Sequence, residues 1–273
     1  MFQPVLRKTP TQGAFAMLEL IFHAAVRHVR KSHGNAVLGL VMSIVQTLVM
    51  LGVMLFIFHL LGMRRNTVRG DYMLFMMSGI FMFMTHVKSM NAVMRCDGPT
   101  SAMMQHAPMN TIVAIASAAL GTLYLQTLAA MVILFAYHAA WNPITIDQPV
   151  GMIGMFLLAW ISGSTLGMIF KAATPWQPEA VGIIGMIYMR MNMFASGKMF
   201  VVNTMTPRLR GYFDWNPLFH IIDQERGFVF LNYEPRYTSI TYVITVAAVC
   251  LVIGLMGEFY TRKHVSRSWG ARR

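Results

Sequence analysis

The sequence predicts an all-α polytopic membrane protein: six transmembrane helices, an N-terminal amphipathic interface helix, and a re-entrant helical segment before the last span. Three observations carry this. Hydrophobic residues make up 56% of the chain against 12% charged, with a mean hydropathy of +0.54, a balance that excludes an ordinary soluble domain. The apolar residues gather into runs of roughly 20 or more, the length that crosses a hydrocarbon core of about 30 Å. The net charge of +12, from 22 Lys+Arg against 10 Asp+Glu, sits at the termini and in short connections, which suits anionic headgroups and not nucleic acid.

Residues 1–35 read as a cytoplasmic N-terminus with the interface helix, 36–258 as the transmembrane domain, and 259–273 as a basic cytoplasmic tail. Between Phe15 and His33, Met17, Leu18, Ile21, Ala25 and Val29 alternate at helical spacing with Glu19, His23, Arg27, Arg30 and Lys31. That is the pattern of a helix lying in the membrane interface. The first span is Ala36 to Gly62, and with no signal-peptide pattern before it, it is expected to direct insertion itself. The second, Tyr72 to Met94, is rich in Met and Phe, and its Lys88 is expected to snorkel toward the cytoplasmic surface, with a buried functional role as the lesser reading.

Asp97, Gly98, Pro99 and Pro108 mark a cytoplasmic connection with room for a short helix. The third span, Thr111 to Ala140, and the fourth, Pro149 to Phe170, carry small residues that let helices approach closely, among them Gly121, Gly151, Gly154, Gly163 and Gly167. The fifth runs from Glu179 to about Val202 and contains Arg190, an intramembrane charge read either as a functional group or as a partner for a neighbouring helix. The sixth is Tyr237 to Gly257.

Residues 203–236 are too short and charged to span and too aromatic for an ordinary loop. Asn216 and Pro217 form a helix start, since Asn caps orphan N–H groups and Pro suits the first helical position; Gly227 is the expected stop. Such a helix reaches about 15 Å, half the bilayer core, so its backbone must be hidden in protein or in a watery cavity. The Lys and Arg residues ahead of the first span, in the 95 and 171 connections and in the tail outnumber those of the opposite side, Arg64, Arg65, Arg69, Arg208, Arg210, Arg226 and Arg236. Both termini are therefore expected in the cytoplasm, and 203–236 on the outer face.

Several chemistries lack their motifs. There is no GxxxxGK[ST], HExxH or GxSxG, and the spans hold essentially no mid-membrane carboxylate of the kind an ion-coupled carrier uses. No metal site is expected. Cys96 and Cys250 fall in a connection and in a span, which argues against a disulfide framework. His220 and Asp223 stand three apart on one helix face near Glu225, so an intramembrane enzyme acting on lipid-linked substrates is the alternative reading. Tyr72, Phe75, Phe81, Phe83, Tyr212, Phe213 and Trp215 are candidate faces for sugar rings, or else interface aromatics.

The order of these features resembles the membrane subunit of an ABC-2 type exporter, in the group that exports capsular polysaccharide, O-antigen and teichoic acid. The likeness rests on VRHVRKSHGNAVLG at 26–39, SGIFMFM at 78–84, Pro207, and NPLFHIIDQERGF at 216–228. It implies a multi-pass protein of the bacterial cytoplasmic membrane, acting as a homodimer with two copies of a separate cytoplasmic ATP-binding subunit. That subunit would carry ATP and Mg, with no cofactor on this chain. The implied cargo is a cell-surface polysaccharide or glycolipid, with periplasmic and outer-membrane export components as further partners. By position, Arg27, Arg30, Lys31, Arg95, Asp97, Pro99 and Pro108 would couple to the ATPase. Tyr72, Trp215, Asn216, Pro217, His220, Asp223, Glu225 and Arg226 would form the outer gate or translocation path, with no catalytic residue.

Overall fold

The structure is a computed structural model that describes residues 10–60, 71–98 and 110–264; the side chains of 10–14 and 31–33, and with them Lys31, lie outside the description, as do Pro99 and Pro108. The described residues form helices and no strands: α1 (Pro10–His33), α2 (Ala36–Leu60), α3 (Tyr72–Met94), α4 (Thr111–Ala140), α5 (Pro149–Ala173), α6 (Pro178–Ala195), the single turn α7 (Pro207–Arg210), α8 (Pro217–Val229) and α9 (Ile240–His264). Five of them, α2, α3, α4, α5 and α9, are long and apolar enough to cross a membrane.

The expected fifth span is α6, an 18-residue helix outside that group of five. It stops at Ala195, short of Val202, because the chain turns at Gly197, whose φ of +70° is a left-handed conformation that glycine adopts without steric cost. A Cβ at Gly197 would lie 2.5 Å from the ring of Phe219, so close packing imposes the same residue. Gly227 likewise does not stop α8, which continues to Val229. Its missing side chain instead admits Pro235, whose Cδ would be 2.7 Å from a Cβ there. The last helix starts at Ile240 and runs on to His264, into the expected tail.

In α1 the faces separate as amphipathicity requires. Ala24 and Val29 are buried, and Val29 and His28 press on Gly121 of α4. Glu19, His23, Arg27 and Arg30 form an exposed polar stripe, and exposed Phe15, Leu18, Phe22 and Val26 form an apolar one. A helix that is wetted on one side and greasy on another is suited to the plane of an interface.

Helix α3 is the centre of the bundle and buried along most of its length, whereas α9 is exposed along most of its own. Asp71 caps it, accepting from the Met73 N–H at 2.9 Å and from the Tyr137 hydroxyl. Phe75, Phe81 and Phe83, candidates for a sugar path, are buried in its packing. Lys88 does not snorkel: its ammonium turns inward and donates to Ser43 Oγ of α2 at 2.9 Å, which also accepts from Gln126 of α4 at 2.8 Å. Lipid is as apolar as Leu, so it is contact and interhelical hydrogen bonds that hold such helices together. The tightest contacts are at glycines. An added Cβ on Gly163 of α5 would lie 2.2 Å from the His86 carbonyl oxygen, and one on Gly167 2.6 Å from that of Met90. On α9, Gly254 and Gly257 face the Cβ atoms of Met168 and Ala172, 2.8 and 2.9 Å from where a Cβ of their own would stand.

Candidate functional site

The sequence marked α8 as the segment that needed a protein environment, and the bundle supplies one. At its start Asn216 accepts from the Leu218 N–H at 3.1 Å, completing the cap, while its amide donates to Asn192 Oδ1 at 2.8 Å and to the Ala195 carbonyl at 2.9 Å. One side chain thus opens α8 and ties it to the end of α6. Pro217 follows at the first helical position. Ten residues on, the fully buried Arg226 donates to the carbonyls of Lys198 and Phe200 at 2.6 Å and of Gly197 at 3.3 Å, with its guanidinium 3.8 Å above the Phe75 ring. The planar fork of Arg is what allows one cation to gather three carbonyls of a turn.

Gly79 makes the room. A Cβ on it would be 3.1 Å from the Arg226 guanidinium and 3.0 Å from Lys198 Cβ, so the 78–84 and 216–228 segments meet here. Lys198 is buried as well, its ammonium 3.4 Å over the Phe83 ring and without a hydrogen-bond acceptor. Glu225 lies buried beside Arg226, and burial pushes its carboxyl up to about 7 against the opposing pull of Arg226, while burial lowers the guanidinium to about 10.

The other face of α8 is fastened to the segment before α9. Asp223 accepts from the Tyr233 hydroxyl and, at 2.8 Å, from Thr238 Oγ1; burial raises both the carboxyl and the Tyr233 phenol. His220 Nδ1 accepts the Ser239 N–H at 3.1 Å, so Nε2 carries the proton and donates to the Asp214 carbonyl at 2.7 Å. Both nitrogens are spent on structure.

A pH dependence follows from Glu225. Its carboxyl loses its proton near 4.5 in the ordinary range and near 7 in the fold, so between those values the folded state holds a proton that the unfolded state has released. Stability therefore falls as pH rises across that window. Thermal unfolding in detergent at pH 5 and pH 8 should show a smaller fall for Glu225→Gln than for wild type; equal falls would remove Glu225 as the cause.

Of the remaining gate candidates, Trp215 is 52% exposed on the turn before α8, and Tyr72 is half-buried at the start of α3 against Phe58, 6.2 Å between ring centres. Asn216, His220, Asp223, Glu225 and Arg226 are buried within the chain and do not line an open channel among the described residues. Among the coupling candidates, Arg27, Arg30 and Arg95 are exposed and Asp97 half-buried. Arg190 is exposed on α6 amid Ile183, Ile187, Met191 and Phe194, with no hydrogen bond or ion pair among the described residues.

Sequence reasoning missed three buried ionic groups: Lys198, Lys171 at the end of α5, and Glu258 near the end of α9. Lys171 and Glu258 stand just beside expected spans and Lys198 near the end of the expected fifth, positions that read as interfacial.

The chain is similar to the polysialic acid transport protein KpsM of Escherichia coli, 23% identical over 235 residues, covering 84% of this chain and 88% of that protein. The family described as ABC-2 type transporter matches residues 19–230, from within α1 to the end of α8. The match takes in most of α1, the glycine-packed α3–α5 pair and the buried charges of α8, and the chain belongs to the ABC-2 type transporter family.

Proposed function

We propose that this chain is the membrane subunit of an ATP-driven exporter that moves a cell-surface polysaccharide or glycolipid across the bacterial cytoplasmic membrane. The observation that carries the reading is the family match, because it spans both α1 and α8; the similarity to a polysialic acid transport protein points to the cargo class. Two copies of the chain work with two copies of a separate ATP-binding subunit, which binds ATP and Mg. Six spans, with α6 as the fifth, put both termini in the cytoplasm. Periplasmic and outer-membrane export components take the cargo onward, and in this reading the chain binds no nucleic acid and no metal.

The polar stripe of α1 with Arg27, Arg30 and Lys31, and the connection from Arg95 and Asp97 through Pro99 to Pro108, receive the stroke of the ATPase. The α8 segment, with Tyr72 and Trp215, closes the outer end, and Arg190 faces a neighbouring chain or the pathway. An enzyme built on His220 would need a free ring nitrogen, and it has none.

The experiment is copurification with the ATP-binding subunit followed by ATP-dependent export. Processing of a lipid-linked substrate by this chain alone would overturn the reading. Within it, Arg27→Glu with Arg30→Glu should weaken stimulation of the ATPase by roughly tenfold or more, as like-charge contacts at an interface cost several kcal/mol. Unchanged turnover would move the coupling surface elsewhere.

A further inference from the structure

We propose that α5 carries movement of the cytoplasmic connection to α8, and that Lys171 is the positioning residue that makes the link. The inference rests on the exporter reading above and adds the route by which a push at one face reaches the other.

At its cytoplasmic end, α5 holds the connection directly. Lys171 is 5% exposed, and its ammonium donates to the backbone carbonyl of Cys96, just past the end of α3. It also fills the space beside Gly98, 3.3 Å from where a Cβ would stand. A buried ammonium is costly unless it is compensated, and the Cys96 carbonyl is the acceptor that Lys171 has here. The same end is locked to α9: Thr261 Oγ1 donates to the Ala172 carbonyl at 2.8 Å, and Trp176 Nε1 donates to Thr261 Oγ1 at 3.0 Å. Glu258 of α9 is buried within electrostatic reach of Lys171 and beside Thr111 of α4.

At the other end, α5 grips α8. The Gln148 N–H donates to the Phe228 carbonyl at 2.8 Å and the Asp147 N–H to that of Val229 at 3.4 Å. The Phe228 ring lies over Gly151, 2.4 Å from a Cβ position there. Between the two grips runs a 25-residue helix with no internal proline, about 37 Å long at ~1.5 Å per residue. Midway, Gly163 and Gly167 press it backbone to backbone against α3. A helix held at both ends and along its side tilts or slides as a unit, and a displacement of Cys96 is delivered to Phe228.

The test uses the full chain with its ATP-binding subunit in proteoliposomes, carrying Leu231→Cys, 77% exposed just past α8 and outside the residues assigned to the gate, as a reporter for a membrane-impermeant maleimide on the outer face. In the reporter alone, ATP should change the labelling rate at least about fivefold, the lower end of typical coupling between sites; an ATP-insensitive reporter speaks against the exporter reading, not the relay. With Lys171→Met added, ATP hydrolysis should continue while the labelling rate no longer responds, and Lys171→Arg should restore the response. Phe228→Ala at the far grip should act like Lys171→Met. Combined with Lys171→Met, Phe228→Ala should add nothing further. A full response in Lys171→Met overturns the proposal. So does loss of hydrolysis in step with the response, which would place Lys171 in ATPase docking. Additive effects of the two grips overturn it as well. Should Lys171→Met fail to fold, an intact response in Phe228→Ala overturns it alone.

Discussion

Arg226→Ala lowers the stability of the purified protein by about 3–5 kcal/mol, the cost of breaking a buried charged network at one partner. Three carbonyls lose their donor at once, and each buried group left unsatisfied costs roughly 1–3 kcal/mol. The Phe75 ring loses the cation above it, and Glu225 loses its neighbour. Arg226→Lys recovers little, because one ammonium cannot reproduce the fork that reaches Gly197, Lys198 and Phe200 together. Unfolding can be followed through the thiols, since Cys96 is buried and Cys250 partly so. Adding Glu225→Gln should relieve part of the loss by removing the stranded acid. A midpoint for Arg226→Ala matching wild type would mean that the guanidinium is not the fastening it resembles, and lost export in a stable variant would return Arg226 to the gate in its own right.

This changes what α8 is. In the sequence, its cap and its first proline were legible because both act within a few residues: Asn216 bonds Leu218, and Pro217 needs only its own φ. The partners of Asn216 and Arg226 come from 192–200, more than 20 residues upstream, and no local pattern announces them. The same limit hid the inward turn of Lys88 to Ser43, since a lysine near a span end satisfies the snorkelling rule whichever way it points. Apolar runs located the long helices well, because crossing a bilayer fixes their length. The end of α6 and the passage of α8 through Gly227 were decided by what packs on those glycines, Phe219 and Pro235, which composition does not reveal. The family resemblance was legible for the opposite reason, as it needed only local motifs and the order of segments.

Gly163→Ala should be among the most damaging single-methyl additions in the chain, while Gly154→Ala on the same helix should be nearly silent. Both glycines belong to the small-residue face read from the sequence, and spacing cannot rank them. In the structure, nothing lies within 4 Å of a Cβ on Gly154, whereas one on Gly163 meets the His86 carbonyl oxygen at 2.2 Å, with backbone that cannot rotate aside. Either α3 and α5 separate or the peptide at His86 tilts. Separation loosens the packing that substitutes for the hydrophobic effect in lipid. Tilting disturbs the His86 ring, whose Nδ1 is bonded to the Ser162 hydroxyl and Nε2 to that of Tyr188, both at 2.9 Å. Overpacking costs of about 1–3 kcal/mol are the usual floor, and the extra strain at His86 raises the expectation for Gly163→Ala above it. Gly154→Ala should stay within about 0.5 kcal/mol of wild type, as substitutions away from packed features do. Thermal midpoints of the two variants in one detergent decide the matter: similar midpoints would mean that α3 and α5 are not pressed together at Gly163, and the rigid seam along α5 would have to be given up.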